Sequence, residues 1–109
     1  MARVVALVTD LMLASRVEGA LRAAGHEVEV RAEPDDATAT AALIVADLET
    51  VEPEAIAALG PPTLGFYSHV DVATRRRAEA AGFDLVVPRS RMSRELPQLA
   101  ERLLSGSPG

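Results

Sequence analysis

The chain has 109 residues, enough for one hydrophobic core and too few for two. Hydrophobic residues make up 49% of it, but no apolar stretch approaches the roughly 20 residues that a membrane-spanning helix needs. Its 16 acidic residues, 11 basic residues and 3% aromatics argue against nucleic-acid binding, and the lack of cysteine excludes disulfides and thiol chemistry. Since no signal-like segment opens the sequence, we expect a cytoplasmic protein that binds neither nucleic acid nor membranes.

Apolar runs and helical patterns alternate along the first half of the chain. Five segments follow one another: a strand over 3–9, a helix over 11–24, a strand over 26–32, a polar segment over 33–41 and a strand over 42–47. The runs RVVALVT and ALIVAD are unbroken, which predicts strands covered on both faces. HEVEVRA alternates between apolar and charged side chains, which is typical of a half-buried edge strand. Gly25 is placed to end the first helix, and the polar segment has room for at most two helical turns.

The second half repeats this rhythm. Five further segments follow: a brief helix over 51–60, a strand over 61–67, a helix over 71–82, a strand over 84–88 and a helix within 93–106. Pro53 suits a first helical turn, and Gly60 suits the stop of the same helix. Asp71 is the predicted N-cap of the next helix and Gly82 its end. Pro97 obscures where the last helix begins.

Strands that alternate with helices imply an α/β fold with a doubly wound parallel sheet. We expect one domain over residues 1–104, with the flavodoxin-like strand order 2-1-3-4-5 and a short second helix, and a flexible tail over 105–109. Ligands of such sheets bind beyond the carboxyl ends of the strands, where the strand order reverses between the first and third strands. Asp10 and Asp47 follow these two strands, so both carboxylates are predicted to face one crevice.

Short motifs at this crevice resemble those of response-regulator receiver domains, the CheY-like family, over nearly the whole chain. They are VTD after the first strand, VADLE at the third, VVPRS at the fifth, and the AAG before the second and fifth strands. The resemblance implies that Asp47 accepts a phosphoryl group from a histidine kinase. It also implies a Mg²⁺ site made of Asp10, Asp47 and the backbone carbonyl of Glu49, which is weak because Thr9 replaces a second acid.

Departures from the family's pattern occur at Thr9, Tyr67, Val86, Arg89 and Ser90, the last of which replaces a proline. Tyr67, with Ser68 after it, stands where a Thr or Ser normally contacts the phosphoryl group, and Val86 replaces an aromatic switch residue. Arg89 replaces the family's lysine. Because a planar guanidinium pairs readily with a carboxylate, we expect Arg89 to hold Asp47 directly and to imitate the neutralisation that phosphorylation brings.

A candidate interaction surface lies in the second half of the chain. Residues 55–109 carry a net charge of +2, whereas residues 1–54 carry −7. Receivers commonly use one face, formed by their helix 4, strand 5 and helix 5, for dimerisation or partner contact. In this sequence these elements correspond to the helix over 71–82, the strand over 84–88 and the last helix. The resemblance places five arginines on that face: Arg75, Arg76, Arg77, Arg91 and Arg94. A solvated helix face is the plainer interpretation of the first three.

Three functions fit these residues. The leading one is an atypical receiver-like signalling module, not an enzyme, that contacts a signalling protein or a second copy of itself and has weak or absent phosphotransfer. The second is a functional single-domain response regulator, phosphorylated on Asp47 by a histidine kinase with Mg²⁺. The third is a small-molecule-binding α/β domain, disfavoured because TDLMLAS at residues 9–15 lacks phosphate-binding glycines. Structural alternatives are a loop-capping role for Asp47 and surface positions for Arg89, His26 and His69.

Overall fold

Five strands and four α-helices make up the computed structural model, which describes residues 2–68 and 72–106. The strands are Arg3–Leu7 (β1), Glu27–Arg31 (β2), Leu43–Asp47 (β3), Thr63–Tyr67 (β4) and Leu85–Pro88 (β5). The helices are Leu11–Ala23 (α1), Pro53–Ala57 (α2), Val72–Ala81 (α3) and Arg89–Leu104 (α4). The predicted βα alternation is therefore confirmed.

The sheet is parallel throughout and has the order β2-β1-β3-β4-β5, as predicted. Strand β1 pairs with both β2 and β3, so that Val4 lies between Val28 and Leu43. Strands β3 and β4 are buried along their whole length, which explains their nearly continuous apolar sequences. Strand β2 lies at an edge, and its first and last residues, Glu27 and Arg31, are exposed.

Two helices cover each face of the sheet. Buried side chains of α1 and α4 pack on one face; they include Leu13, Val17, Leu21, Met92, Leu96 and Leu99. Buried side chains of α2 and α3, among them Ile56 and Ala78, pack on the other face. Because α1 and α4 share a face, their N-terminal ends both border the crevice beyond the carboxyl ends of β1 and β3.

A single 3₁₀ turn, Thr38–Thr40, stands between β2 and β3 where the sequence predicts at most two helical turns. Asp35 holds the turn, because its Oδ1 accepts hydrogen bonds from the backbone N and the Oγ1 of Thr38, both at 3.1 Å. Thr38 is fully buried under this arrangement. Aspartate and threonine favour such local bonds over a longer helix.

Helix α4 begins at Arg89, directly after β5, and not within 93–106 as the sequence predicts. Pro88 forms its N-cap, and Pro97 lies in the helix interior. A proline removes one backbone hydrogen bond. The buried side chains of this helix, from Met92 to Leu103, pack on the sheet and keep the helix continuous although the hydrogen bond at Pro97 is missing. Thus Arg89 belongs to a helical turn and not to a loop.

The predicted helix stops have the expected backbone. Gly25 and Gly82 have φ angles of 95° and 108°, which residues with a Cβ rarely adopt. Helix α4 ends at Leu104, and the flexible tail stays a prediction because residues 107–109 lie outside the described residues. Asp71 and His69 also lie outside them. No helix within residues 2–68 and 72–106 has the length and apolar character to cross a membrane.

Candidate functional site

The crevice lies where β1, β3, β4 and β5 reach their carboxyl ends. Asp47 is the last residue of β3 and pairs in register with Phe66 of β4. Asp10 precedes α1, and Arg89 opens α4. Because all strands run in the same direction, the parallel register brings the residues that follow them to one edge of the sheet.

Asp10 serves as the N-cap of α1. One of its side-chain oxygens, Oδ1, accepts a hydrogen bond from the backbone N of Leu13 at 2.9 Å, and its backbone oxygen accepts one from the N of Ala14 at 2.8 Å. Thr9 beside it is exposed. An aspartate cap typically contributes about 1 kcal/mol to helix stability. One of the two predicted metal-binding acids therefore already has a structural role.

Asp47 is nearly buried, with 8% of its surface exposed. Its Oδ1 accepts a hydrogen bond from the backbone N of Glu49 at 3.0 Å, and its backbone oxygen accepts one from the N of Thr50 at 3.1 Å. Burial raises the pKa of this carboxyl, as do the negative charges of Glu49 and Asp10, whereas the Glu49 N–H and the charge of Arg89 lower it. Asp47 thus caps the loop after β3 and carries a carboxyl that resists ionisation.

The hydroxyl that borders the crevice belongs to Ser68 and not to Tyr67. Side chains alternate along β4, and Tyr67 points to the α2–α3 face, where it packs in the same cluster as Phe83 and is 7% exposed. Ser68 lines an open pocket together with Arg89. The expectation that Tyr67 stands at the phosphoryl position is therefore wrong in the structure. Successive side chains of a strand point to opposite faces of the sheet, so a shift of one residue changes which side chain faces the crevice. Val86 packs against the α2–α3 cluster as well.

Arg89 is exposed and makes no ion pair within 4.0 Å with Asp47 or any other described residue. It lines a pocket of about 170 Å³ with Asp10, Leu13 and Arg16. Its charge lowers the pKa of Asp47 from a distance. The predicted direct pair is wrong, because α4 begins at Arg89 and its first turn directs this side chain toward α1.

Solved structures with the same architecture were found by comparison. A CheY-like response regulator receiver domain from Methanospirillum hungatei JF-1 has a TM-score of 0.82 and 17% sequence identity, over 97% of this chain and 95% of that one. A LuxR-family two-component response regulator from Aurantimonas sp. SI85-9A1 has a TM-score of 0.79 and 21% identity, over 99% of this chain and 88% of that one. The chain has the receiver-domain fold.

A third similar structure belongs to a longer protein. NtrX from Brucella abortus, in complex with ADP, has a TM-score of 0.79 and 20% identity over 96% of this chain, and the receiver fold described here spans only 26% of that chain. No family model and no curated protein matches the sequence of this chain. At identities of 17% to 21%, the likeness to solved structures establishes the fold and not the chemistry of the crevice.

The resemblance of the sequence motifs to those of receiver domains implies a Mg²⁺ ion, and part of the implied ligand set suits one. Asp47 and Asp10 each have one carboxylate oxygen, Oδ2, that accepts no hydrogen bond from the described residues, and the backbone carbonyl of Glu49 lies in the same loop. Mg²⁺ prefers such oxygen ligands and keeps several waters. Within residues 2–68 and 72–106, however, no three side chains of His, Cys, Asp or Glu form a group that fits a metal ion. The protein therefore offers Mg²⁺ only two carboxylates and one backbone carbonyl.

The five arginines of the predicted interaction face separate into two groups. Arg77 bridges to Glu52 and Glu54 beside α2, with a 2.9 Å contact to the latter, so it lies on the flank of α3 that faces α2. The other four lie on α3 and α4, which flank the edge strand β5: Arg75, Arg76, Arg91 and Arg94. Three of them pair within their own helix, with Glu79 or Glu95, and only Arg76 has no partner among the described residues.

Two residues at the crevice were missed by sequence reasoning. Arg16 of α1 and Ser93 of α4 line the same pocket as Ser68 and Arg89. Each lies one or two turns into its helix, and no motif marks either position. His26 has a structural contact instead, because its Nδ1 accepts a hydrogen bond from the backbone N of Ala2 at 3.2 Å.

Proposed function

We propose that this chain is an atypical receiver-like signalling module that acts through protein–protein contact, with weak or absent phosphotransfer to Asp47. The receiver fold supports a role in signalling. The observation that carries the proposal is the state of the acid pair: Asp47 is nearly buried with a raised pKa, and Asp10 caps α1.

The chemistry of phosphotransfer explains why this acid pair matters. Transfer to a carboxylate needs an ionised nucleophile and a divalent ion that neutralises the charge of the phosphoryl oxygens. Thr9 supplies a hydroxyl where the receiver pattern has a second acid, so only Asp10 and Asp47 contribute charged ligands. Weaker binding of the ion and a raised pKa of the acceptor carboxyl both slow the transfer.

The partner we propose is a protein, either a signalling protein or a second copy of this chain. The contact surface is the edge formed by α3, β5 and α4, which we call the β5 edge; its arginines are Arg75, Arg76, Arg91 and Arg94. Guanidinium groups on such a surface suit carboxylates of a partner. Leu85 and Val86 of β5 are half-buried and supply apolar area between the two helices.

A second function is favoured by one specific observation. Ser68 lines the same pocket as Arg89, whose charge lowers the pKa of Asp47, so a small hydroxyl and a cation lie at the end of the sheet that holds Asp47. This arrangement supports a functional response regulator, phosphorylated on Asp47 by a histidine kinase with Mg²⁺. In that case Ser68 would donate to the phosphoryl group, and Arg89 would balance its charge.

Self-association of two variants separates these functions. If the module acts without phosphotransfer, Asp47→Asn should self-associate like the wild type in sedimentation experiments, with or without acetyl phosphate and Mg²⁺. Asp36→Asn, which removes an exposed acid of the loop between β2 and β3, is the matched control. Self-association that acetyl phosphate induces in the wild type and in Asp36→Asn, but not in Asp47→Asn, would establish the second function.

A further inference from the structure

We propose that the pocket between α1 and α4 binds a phosphate dianion non-covalently, at a site beside Asp47 and separate from it. The pocket has a volume of about 410 Å³ and is lined by five residues, namely Arg16, Ser68, Arg89, Ser90 and Ser93. Asp47 is not among them. This site does not depend on the function proposed for Asp47.

The chemistry of the lining residues is uniform. Two are guanidinium groups and three are hydroxyls, so every lining side chain can donate hydrogen bonds. No acidic side chain of residues 2–68 or 72–106 lines this pocket, although the chain as a whole carries a net charge of −5. The carboxylate of Glu49 lies at the border of the pocket, where its Oε1 accepts a hydrogen bond from the backbone N of Ser68 at 3.3 Å. A pocket lined by donor side chains in an acidic protein is suited to an anion.

Neither arginine of the pocket is neutralised by contact. Arg16 and Arg89 make no hydrogen bond or ion pair with any described residue, whereas seven other arginines of the described segments each pair with an acid. Asp10 lines the adjoining pocket with both guanidinium groups, but it forms no ion pair within 4.0 Å with either of them. Two positive charges at one pocket repel each other, so a negatively charged ligand that contacts both is favoured.

A tetrahedral oxyanion uses these donors better than a carboxylate does. Guanidinium groups form bidentate hydrogen bonds to phosphate, and the hydroxyls of Ser68, Ser90 and Ser93 supply donors for further oxygens. A carboxylate has only two oxygens for the same five side chains. Pockets that hold small molecules are typically about 300–1,000 Å³, so this volume also accommodates part of an organic carrier.

The pocket joins three elements of the fold. Arg16 belongs to α1, Ser68 follows β4, and Arg89, Ser90 and Ser93 belong to the first turns of α4. A bound phosphate would therefore connect α1 to α4 at the end of the sheet that holds Asp47. Binding would stabilise the folded state in proportion to phosphate concentration, since the unfolded chain has no such pocket.

The test is a titration of the ¹⁵N-labelled protein with inorganic phosphate, followed by NMR and compared with sodium chloride at equal ionic strength. We expect saturable shifts of the amides of Ser68, Ser90 and Ser93 with phosphate and not with chloride. Arg16→Gln and Arg89→Gln should each weaken binding about tenfold, because each removes charged hydrogen bonds. Arg76→Gln, which removes an unpaired arginine from α3, should not weaken it.

Two further arms identify the ligand and separate the site from Asp47. Asp47→Asn should bind phosphate at least as tightly as the wild type, because a nearby negative charge is removed. If glycerol 3-phosphate binds more tightly than inorganic phosphate, the ligand is a phosphate ester. If the two bind with equal affinity, the ligand is the free ion. Both outcomes support the site. Shifts that do not saturate, that chloride reproduces, or that persist unchanged in both Arg16→Gln and Arg89→Gln would overturn it.

Discussion

Asp47 and Arg89 lie at the same end of the sheet without forming an ion pair. The charge of Arg89 lowers the pKa of Asp47, yet no contact within 4.0 Å joins the two side chains. Arg89 instead borders the pockets between α1 and α4. The arginine therefore adjusts the ionisation of Asp47 through space and does not hold the carboxylate permanently.

Removal of this charge should change both the proton and the metal affinity of the crevice. In Arg89→Ala we expect a higher pKa of Asp47 and tighter Mg²⁺ binding by about threefold, since a distant positive charge opposes protonation and repels the ion. NMR titrations with acid and with Mg²⁺ measure both quantities. Arg76→Ala is the matched control, and an unchanged pKa with equal Mg²⁺ affinity would show that Arg89 does not act on Asp47.

Asp47 should also leave a signature in the pH dependence of stability. Its pKa is raised from the ordinary 3.8, so the folded protein binds this proton more tightly than the unfolded chain does. Stability contributed at this position is therefore lost as the pH rises through the raised pKa. Asp47→Asn should melt a few degrees above the wild type near pH 7, and this difference should vanish below about pH 3, where both states are protonated.

The control for this pH effect is Asp36→Asn, which removes an exposed carboxyl from a loop. Its melting temperature should follow the wild type at both pH values. A stabilisation of Asp47→Asn that is equally large near pH 7 and below about pH 3 would mean that lost charge is not its cause.

Tyr67 and Ser68 should differ sharply in their contribution to stability. Tyr67→Ala removes a ring from the core between the sheet and α2–α3, which typically costs about 3–5 kcal/mol of unfolding free energy. Ser68→Ala should change that free energy by less than about 0.5 kcal/mol, because the residue is partly exposed. Urea unfolding measures both, and a costly Ser68→Ala beside a neutral Tyr67→Ala would reverse the two assignments.

The fold could be predicted because its signals are local. Unbroken runs such as ALIVAD identify buried strands, and glycines such as Gly25 mark helix ends. The order of the strands followed from the alternating charges of β2, which place it at an edge. Asp10 and Asp47 could be assigned to one crevice for the same reason, since Asp10 closely follows one recognisable strand and Asp47 ends another.

The direction of individual side chains could not be predicted in the same way. Tyr67 and Ser68 are one residue apart, and an error of one position in the end of β4 reverses which of them faces the crevice. The position of Arg89 depended on where α4 begins, which Pro97 obscured. Arg16 carries no signal in the sequence, because only the packing of α1 against α4 brings it to the pocket.

The β5 edge can be tested by charge reversal. Arg75→Glu with Arg76→Glu should leave the fold intact, because exposed charges usually contribute within about 0.5 kcal/mol, and should weaken self-association or partner capture. Arg31→Glu places the same new charge at the opposite edge of the sheet, on β2, and should not weaken it. Association that survives the double reversal, or that Arg31→Glu abolishes equally, would exclude the β5 edge as the contact surface.

Labelling of Asp47 by acetyl phosphate in the presence of Mg²⁺ tests the central claim most directly. Intact-mass measurement gives the phosphorylated fraction, and Asp47→Asn shows whether the label is on this residue. With Thr9 in place of a second acid and with a raised pKa of Asp47, we expect little or no phosphorylated protein. Stoichiometric labelling of the wild type that disappears in Asp47→Asn would contradict weak phosphotransfer and would identify a functional response regulator.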